Sequence, residues 1–472
     1  MTRIDTDICV IGAGSGGLSV AGGAVQMGAR VVLIEGHRMG GDCLNYGCVP
    51  SKALLAAGKA AAAHRAGAAL GVTPDEPVLD FAAAKDHVAR VVAAIEPHDS
   101  QERFEGLGVR VLRGYARFTG PREVEVDGMR VRARRFVIAT GSRPMVPPIP
   151  GLESVPYLTN ETIFDLREAP RHLVIIGGGP IGLEMAQAHR RLGSRVTVIE
   201  GAKALGRDDP EAAALVLARL RAEGVEIVEG AMVEAIGGRA GAIEVQVAGG
   251  TLFIGTHLLV AVGRRPNTER LNLEAAGIRH GRDGIETDAG LRTTNRRVYA
   301  IGDVAGRGQF THVAGYQAGV IIRPMLFGLP ARARADHIPH VTYTDPELAQ
   351  IGPTEAEARA AHGDRLTVLR LGFDASDRAR AEGRTEGLMK VMVLAGRPIG
   401  VTIVGAAAGE MIGIWALAIA NRLKIGAIAG TVLPYPTMGE LSKRAAGAYF
   451  TPRLFDNPLI KRVVGLVQRL VP

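Results

Sequence analysis

The chain has 472 residues, of which 47% are apolar and 22% charged, which excludes a disordered or fibrous protein and predicts about three domains. Its net charge is +8, but the basic residues are scattered in short clusters such as residues 132–135, so we expect no nucleic-acid partner. Three cysteines, Cys9, Cys43 and Cys48, are too few for a disulfide-stapled secreted scaffold and indicate a reducing compartment.

The N-terminus and the longest apolar stretch both argue against membrane insertion. Residues 1–5 run directly into the apolar residues 8–11, without the apolar region or cleavage site of a signal peptide. Residues 411–420 are bounded by Glu410 and Asn421 and are too short to span a bilayer. We therefore expect a soluble cytoplasmic protein without a transmembrane segment.

The first chemical motif is a glycine-rich turn between two apolar strands. Residues 8–11 lead into Gly12, Gly14 and Gly17, a helical stretch follows, and the next strand ends in Glu35. In such a βαβ unit, Gly12 permits the tight turn, Gly14 lets the backbone approach a pyrophosphate, and Gly17 allows close helix packing. Glu35 stands about 20 residues further on, where a carboxylate accepts hydrogen bonds from ribose hydroxyls.

The same pattern returns in the middle of the chain. Gly177, Gly179 and Gly182 follow the apolar residues 173–176, and the next strand ends in Glu200. One glycine fingerprint is weak support for a nucleotide site, whereas two complete units with matching strand, helix and acid predict two dinucleotide sites.

The acid of the second unit bears on the choice of cofactor. The carboxylate of Glu200 would repel a 2′-phosphate and bind a free 2′-hydroxyl, which favours NAD over NADP. Lys203 and Arg207 follow closely and offer charges that can hold a phosphate, so NADP stays an alternative.

Two of the cysteines form a pair. Cys43 and Cys48 precede Lys52, and the Ala-, Leu- and Lys-rich residues 52–66 place the pair at or near a helix N-terminus, where the helix dipole lowers a thiol pKa. A redox-active disulfide fits best beside two nucleotide sites. Two buried cysteines, or a zinc half-site completed by histidines, are the alternatives. Cys9 lies within the first strand and is expected in the core.

Further strands and a helix complete the organisation. One apolar strand ends before Thr140 and Gly141, a second ends before Gly263, and a third ends before Asp303. This repetition suggests an internal duplication. From about residue 336 no glycine fingerprint occurs, and residues 341–346, 388–393 and 399–404 predict strands with a helix over residues 408–421. Residues 457–470 predict an amphipathic helix; we expect it to pack on its domain or on a partner, with a membrane surface as the alternative.

These motifs together resemble the FAD-dependent pyridine nucleotide-disulfide oxidoreductases (class I), in their mercuric-reductase-like and dihydrolipoyl-dehydrogenase-like branch. The resemblance implies an α/β fold with two Rossmann-like dinucleotide-binding domains and a C-terminal α+β dimerisation domain. Each Rossmann-like domain would have a three-layer ββα architecture. It implies FAD in the first unit, the nicotinamide cofactor in the second, and a homodimer. The implied domains are residues 1–145 and 271–335 for FAD, 146–270 for NAD(P), and 336–472 for the interface.

The resemblance also implies roles for single residues. Cys48 would be the charge-transfer thiol beside the flavin, and Cys43 the interchange thiol that meets the substrate. Lys52 would approach flavin N5 and pair with Glu184, and Asp303 would bind the ribityl chain. The implied cofactor-binding residues are Gly12, Gly14, Gly17, Glu35, Gly41, Asp42, Lys52, Thr140, Gly141 and Asp303 for FAD, and Gly177, Gly179, Gly182, Glu200 and Gly263 for the nicotinamide cofactor.

One departure from the family pattern bears on the acceptor. Where lipoamide and glutathione reductases have His-Pro-Thr-x-x-Glu, this chain has Tyr435 and keeps Glu440. A phenol has an ordinary pKa of about 10 against about 6.5 for imidazole, so it is a poor general base. Mercuric reductases also carry this tyrosine, but residues 469–472 lack their terminal cysteine pair.

The predicted function is an FAD-dependent oxidoreductase that passes electrons from NAD(P)H through FAD to Cys43 and Cys48. A small acceptor then takes them, with a soft metal ion such as Hg(II) or Cu(II) ahead of a disulfide. The alternatives are a dihydrolipoyl dehydrogenase or other small-disulfide reductase, a flavin-bearing redox sensor, and a quinone reductase that uses the flavin directly. The predicted catalytic set is completed by Lys52, Glu184, Tyr435 and Glu440, and no resident metal is expected.

Overall fold

A computed structural model describes residues 2–471 of the chain. Its α-helices are α1 (Ser15–Gln26), α2 (Gly41–Asn45), α3 (Cys48–Arg65), α4 (Phe81–Asp99), α5 (Gln101–Gly106), α6 (Pro180–Arg191), α7 (Pro210–Ala222), α8 (Thr311–Phe327), α9 (Glu355–His362), α10 (Asp377–Ala381), α11 (Ala408–Ala420), α12 (Ile425–Ala429), α13 (Glu440–Ala448), α14 (Thr451–Phe455) and α15 (Pro458–Leu470). Its strands are β1 (Arg3–Ile11), β2 (Val31–Glu35), β3 (Arg110–Arg113), β4 (Arg117–Gly120), β5 (Glu123–Val126), β6 (Met129–Ile138), β7 (Ser142–Pro144), β8 (His172–Ile176), β9 (Arg195–Glu200), β10 (Val225–Glu229), β11 (Val233–Arg239), β12 (Ala242–Val247), β13 (Leu252–Gly255), β14 (His257–Val260), β15 (Arg264–Pro266), β16 (His280–Gly281), β17 (Gly284–Ile285), β18 (Val298–Ala300), β19 (Pro339–Thr342), β20 (Glu347–Ile351), β21 (Leu366–Gly372), β22 (Leu388–Leu394) and β23 (Arg397–Gly405).

The described residues form two compact units. The first comprises residues 2–61, Val78–Gly201 and Ala231–Arg334, and the second comprises Ala62–Pro77, Ala202–Gly230 and residues 335–471. Both glycine turns lie in the first unit. The division therefore does not separate the two expected nucleotide domains, whose boundaries stay a prediction.

The first parallel sheet is built around β1. The strands run in the order β3-β2-β1-β6, β18 also pairs with β6, and β4 and β5 add an antiparallel edge. Successive residues of β1 face opposite layers. Ile8 and Val10 pack with residues of α1 and α8, and Cys9 and Ile11 pack with Phe118 of β4. Cys9 is fully buried, which confirms its predicted place in the core.

A second parallel sheet repeats this plan within the same unit. The strands β9, β8 and β14 are parallel, with α6 connecting β8 to β9. The strands β11, β12 and β13 form a separate antiparallel sheet. Two parallel sheets, each entered through a glycine turn, confirm the predicted mixed α/β fold class.

The second unit contains a five-stranded antiparallel sheet. Its order is β19-β20-β23-β22-β21, and α11 lies on it. Trp415 of α11 is fully buried and donates a hydrogen bond to Ser442 Oγ at 3.1 Å. The sheet confirms the predicted α+β domain, although the predicted strand over residues 341–346 was wrong in its extent. Residues 343–346 form a turn between β19 and β20, where Pro346 supplies no backbone donor.

A cluster of charges surrounds the buried Lys390 in the second unit. The Lys390 Nζ atom lies 2.9 Å from Asp209 Oδ1, 2.7 Å from Glu211 Oε2 and 3.3 Å from Glu355 Oε2. Arg370 also pairs with Glu211 and Glu355. Burial lowers the pKa of Lys390, but its carboxylate partners raise it overall, so this lysine stays charged. The cluster fixes the start of α7, whose N-cap is Asp209, against the sheet.

The described chain ends in two short helices, α14 and α15, none of whose residues is buried. Asn457 caps α15 by accepting a hydrogen bond from the backbone N–H of Leu459 at 3.0 Å. Among residues 2–471, no helix combines the length and the apolar character needed to cross a bilayer.

Candidate active site

The two glycine turns share one backbone geometry. Gly12 has a φ of 103° and Gly177 a φ of 114°, in the left-handed region that favours glycine. A Cβ atom on Gly12 would lie 2.4 Å from the carbonyl oxygen of Ala139, and one on Gly177 would lie 2.4 Å from that of Ala261. The turns therefore require glycine at these two positions, as the fingerprint predicts.

Each turn opens a helix whose first N–H groups have no side-chain cap. Gly14 is the N-cap of α1 and Gly179 the N-cap of α6, and neither helix has an acid in its first turn. A Cβ on Gly17 or on Gly182 would lie 1.9 or 2.0 Å from a carbonyl oxygen of the turn, so strand and helix are in close contact. Uncapped N–H groups at a helix N-terminus fit the pyrophosphate of a dinucleotide.

The two predicted ribose acids are fixed beside these turns. The Glu35 carboxylate accepts hydrogen bonds from the backbone N–H groups of Ala13 and His37, both at 2.6 Å. Glu200 accepts one from Gly178 at 2.7 Å. Each carboxylate thus lies between the end of its strand and the glycine turn, the place at which a ribose would meet it.

Thr140, Gly141 and Gly263 lie where the first unit's chain crosses between its sheets. Gly141 and Gly263 precede β7 and β15, which pair with each other. Thr140 Oγ1 donates to the Asn267 carbonyl at 2.8 Å, and the N–H of Asn267 donates to the Gly141 carbonyl at 3.0 Å. These bonds hold the ends of β6 and β14 close together.

The cysteine segment folds as two separate helices. Cys43 lies within α2, and Cys48 is the first residue of α3, which confirms the predicted helix N-terminus. Gly41 opens α2, and a Cβ there would lie 2.8 Å from Gly14 Cα, so the segment lies directly against the first glycine turn. Both cysteines are free thiols, and their side chains share a hydrogen bond.

This hydrogen bond shifts the pKa values of the two thiols in opposite directions. The bond from Cys43 lowers the pKa of Cys48 to about 6 in spite of burial, with further lowering by Thr311 and Lys52. The same contact, together with burial, raises the pKa of Cys43. Thr311 is the first residue of α8, and its Oγ1 atom lies 3.4 Å from Cys48 Sγ. Two helix N-termini, those of α3 and α8, therefore meet at the Cys48 sulfur and favour its thiolate.

Lys52 and Glu184 form an ion pair, as the resemblance implies. Lys52 Nζ donates to Glu184 Oε2 at 2.8 Å, and the Glu184 side chain is only 5% exposed. A carboxylate as buried as this one needs a cationic partner. The pair joins α3 to α6, and with them the two βαβ halves of the first unit.

A polar network surrounds the predicted ribityl ligand. Burial raises the pKa of Asp303, and a hydrogen bond from Ser142 at 2.5 Å partly offsets that rise. Arg264 donates to Ser142 Oγ at 2.7 Å and lies 3.1 Å from Asp42 Oδ1 and 3.8 Å from Asp303 Oδ2. Asp42 also accepts a hydrogen bond from Asn160 at 3.1 Å. Arg264 thus partly neutralises two predicted flavin residues at once.

Tyr435 lies in the second unit, and its hydroxyl makes a hydrogen bond to a carboxylate. It donates to Asp377 Oδ2 at 3.1 Å, and Arg444 Nη2 lies 3.2 Å from the same oxygen. This hydrogen bond raises the pKa of Tyr435. The phenol is therefore a donor and not a proton acceptor near neutral pH. Glu440 is the first residue of α13 and is partly exposed.

Four residues of these sites escaped sequence reasoning, namely Thr311, Ser142, Arg264 and Asp377. Each acts on a predicted residue that is remote in sequence, and none belongs to a glycine or cysteine fingerprint. Arg264 has one usable clue, since it follows Gly263 directly at the end of a predicted strand. The two glycine turns, together with the acids and helix N-termini beside them, fit FAD at the first turn and a nicotinamide dinucleotide at the second.

Comparison with known proteins agrees with this geometry. The family model described as "Pyridine nucleotide-disulphide oxidoreductase" matches residues 6–318, and the one for its dimerisation domain matches residues 338–446. A mercuric reductase from Lysinibacillus sphaericus is 35% identical over 448 residues, which is 93% of this chain and 82% of the relative. A dihydrolipoyl dehydrogenase from Thermus scotoductus is 37% identical over 461 residues, 94% of this chain and 97% of the relative.

A solved structure is similar over almost the whole chain. It is the Cu(II) complex of the HOCl-induced flavoprotein disulfide reductase RclA from Escherichia coli, with 29% identity and a TM-score of 0.84. The match covers 93% of this chain and 99% of that structure. These comparisons confirm the resemblance inferred from the sequence: the chain belongs to the pyridine nucleotide-disulfide oxidoreductase family, whose members are flavoprotein oxidoreductases that use FAD and NAD(P)H.

Proposed function

We propose that the protein is a homodimeric cytoplasmic reductase that uses NADH to reduce a soft metal ion, Hg(II) or Cu(II), through the thiols of Cys43 and Cys48. The observation that carries the proposal is the pairing of a Cys48 thiolate with a Cys43 thiol, in a chain whose Tyr435 is no base. Mercuric reductases among the relatives, and a similar reductase solved with Cu(II), support this class of acceptor.

The thiol pair has the chemistry that a soft metal requires. Thiolates are the preferred ligands of soft ions, and Cys48 supplies one at neutral pH. When Hg(II) takes two electrons from the pair, it leaves as Hg(0), a Cys43–Cys48 disulfide forms, and the remaining thiol proton is released to solvent. With Cu(II), two ions each take one electron. Bound FAD would supply the route by which electrons from NADH return the disulfide to the dithiol.

Lys52 and Glu184 support this cycle by position and charge. The Lys52 ammonium stabilises negative charge on Cys48, and Glu184 holds the lysine in place from a buried site. Asp303 and Asp42 are joined by Arg264, and their carboxylates would accept hydrogen bonds from the hydroxyl groups of the flavin's sugar chain.

The presence of Tyr435 favours a metal ion over a disulfide as the electron acceptor. Reduction of a disulfide requires a proton for each leaving thiolate, and a histidine base normally moves that proton. Reduction of a metal ion requires no proton from the protein. A phenol whose hydrogen bond to Asp377 raises its pKa therefore suits the second reaction and not the first.

A second candidate is a dihydrolipoyl dehydrogenase that tolerates tyrosine. The specific observation in its favour is the 37% identity to a dihydrolipoyl dehydrogenase over nearly the entire length of both proteins. Glu440, the family's orienting acid, is also present. The two candidates share every residue of the first unit described above and differ only in the acceptor.

An acceptor panel tests the proposal. With the FAD-loaded protein, we expect NADH oxidation to be faster with Hg(II) or Cu(II) than with lipoamide, glutathione disulfide or a quinone. Cys43→Ser and Cys48→Ser should each lower the metal-dependent rate by about 100-fold or more, since a single thiol cannot deliver two electrons as a disulfide. Cys9→Ala is the matched control and should keep the rate. Rapid lipoamide turnover without metal turnover would contradict the proposal, and so would activity that survives both serine variants.

The nicotinamide preference is tested separately. We expect kcat/KM for NADH to exceed that for NADPH by about tenfold or more, because the Glu200 carboxylate repels a 2′-phosphate. Glu200→Gln keeps an oxygen that can accept the Gly178 N–H and should narrow this ratio. A wild-type preference for NADPH would show that Glu200 does not select the cofactor.

The contact between Thr311 and Cys48 predicts a change in pH dependence. Thr311→Val removes one hydrogen bond to the thiolate, so the neutral thiol becomes more favourable and the acid limb of the metal-reduction profile moves up by about half to one pH unit. Thr311→Ser keeps the hydroxyl and should leave the limb in place. An unchanged limb in the valine variant would show that this hydrogen bond does not act on the thiolate.

Replacement of Tyr435 tests the argument about the base. Tyr435→His supplies an imidazole with an ordinary pKa of about 6.5 and should raise lipoamide turnover by about tenfold or more. Tyr435→Phe removes the hydroxyl without adding a base and should leave lipoamide turnover at the wild-type level. If the histidine variant gains nothing, the enzyme is a disulfide reductase that manages without this base, and the second candidate is favoured.

A further inference from the structure

The last helix of the chain has two chemically distinct faces. At 3.6 residues per turn, the apolar side chains of α15 fall within an arc of about 160°. These residues are Leu459, Ile460, Val463, Val464, Leu466, Val467 and Leu470. The opposite arc holds Lys461, Arg462, Gln468 and Arg469. The division is complete, since no polar residue lies within the apolar arc.

The apolar face of α15 is exposed. Val463 is 59% exposed, Leu466 57% and Leu470 72%, and none of the helix residues is buried. Phe455, at the end of the preceding helix, is 66% exposed as well. A contiguous apolar surface of this kind marks an interaction site.

The charge of this segment has one sign. Residues 457–472 contain three basic residues and no aspartate or glutamate, and just before them Arg453 and Asp456 cancel each other's charge. The chain as a whole carries a net charge of +8. A surface that covers the apolar face and also accommodates these cations must be negatively charged and must have an apolar interior.

The match to the family's dimerisation domain does not reach this face. The match to the dimerisation domain ends at residue 446, before α14 and α15 begin. The helix is also too short and too charged to cross a bilayer. A helix with these two faces is suited to lie in the plane of a bilayer surface, with its apolar side down and its cations at the level of the headgroups.

We propose that α15 binds the surface of an anionic lipid bilayer and so holds the reductase at a membrane. The leucine and valine side chains enter the boundary between headgroups and acyl chains, and Lys461, Arg462 and Arg469 contact the anionic headgroups. This inference is independent of the electron acceptor.

Vesicle flotation of the full-length, FAD-loaded protein tests the proposal. We expect binding to phosphatidylcholine vesicles that contain about a quarter phosphatidylglycerol, and binding about tenfold weaker to pure phosphatidylcholine. Val463→Asn, in the middle of the apolar face, should lower binding to the anionic vesicles by about tenfold. Gln468→Asn introduces the same residue on the polar face and is the matched control, with wild-type binding expected. Arg462→Gln/Arg469→Gln should lower binding to the anionic vesicles and remove most of its salt dependence.

NADH oxidation by each variant, measured without vesicles, shows that the reductase is intact. The proposal is overturned if the wild-type protein fails to float with anionic vesicles at low salt, or if Val463→Asn and Gln468→Asn bind equally well. It is also overturned if Val463→Asn changes the oligomeric state in solution while the wild-type protein does not bind vesicles. That result would assign the apolar face to a contact between copies of the chain.

Discussion

The hydrogen bond between Cys43 and Cys48 is the interaction on which the chemistry of this protein depends. Two equal thiols with ordinary pKa values would both be protonated at neutral pH and would neither bind a soft metal nor reduce it quickly. The hydrogen bond breaks this symmetry, because it lowers the pKa of Cys48 to about 6. Thr311, Lys52 and the N-termini of α3 and α8 all act on the same sulfur and in the same direction.

The rest of the first unit can be understood as the means of holding that sulfur in place. Close backbone contact at the first glycine turn fixes the segment that opens α2, and the ion pair between Lys52 and Glu184 fixes the start of α3. Arg264 pairs with both Asp42 and Asp303, two of the predicted flavin-binding residues. The same elements that are predicted to bind the dinucleotides thus also set the pKa values of the thiol pair.

The sequence predicted those features that a local backbone requirement imposes. Gly12 and Gly177 could be identified because only glycine suits a left-handed turn pressed against a carbonyl. The cysteine pair could be placed at a helix N-terminus because the residues that follow it, 52–66, have a helical composition. Contacts between distant segments could not be predicted from the residues alone: the Lys52–Glu184 pair followed only from the family resemblance, and Thr311, which lies 263 positions from Cys48, was missed. The same holds for Asp377 beside Tyr435 and for the carboxylates around Lys390, because packing alone brings them together. The strand predicted over residues 341–346 was wrong because apolar patterning does not locate a turn.

The account of the reductase rests on one thiol being a thiolate under physiological conditions, whatever the acceptor and wherever the C-terminal helix binds. The direct measurement is the ultraviolet thiolate absorbance of the dithiol form across pH, taken as the difference between the wild type and Cys48→Ser so that all other chromophores cancel. The account predicts a single transition with a midpoint at a pH of about 6. A midpoint near the ordinary thiol pKa of about 8.5, or a transition that disappears in Cys43→Ser but persists in Cys48→Ser, would contradict it.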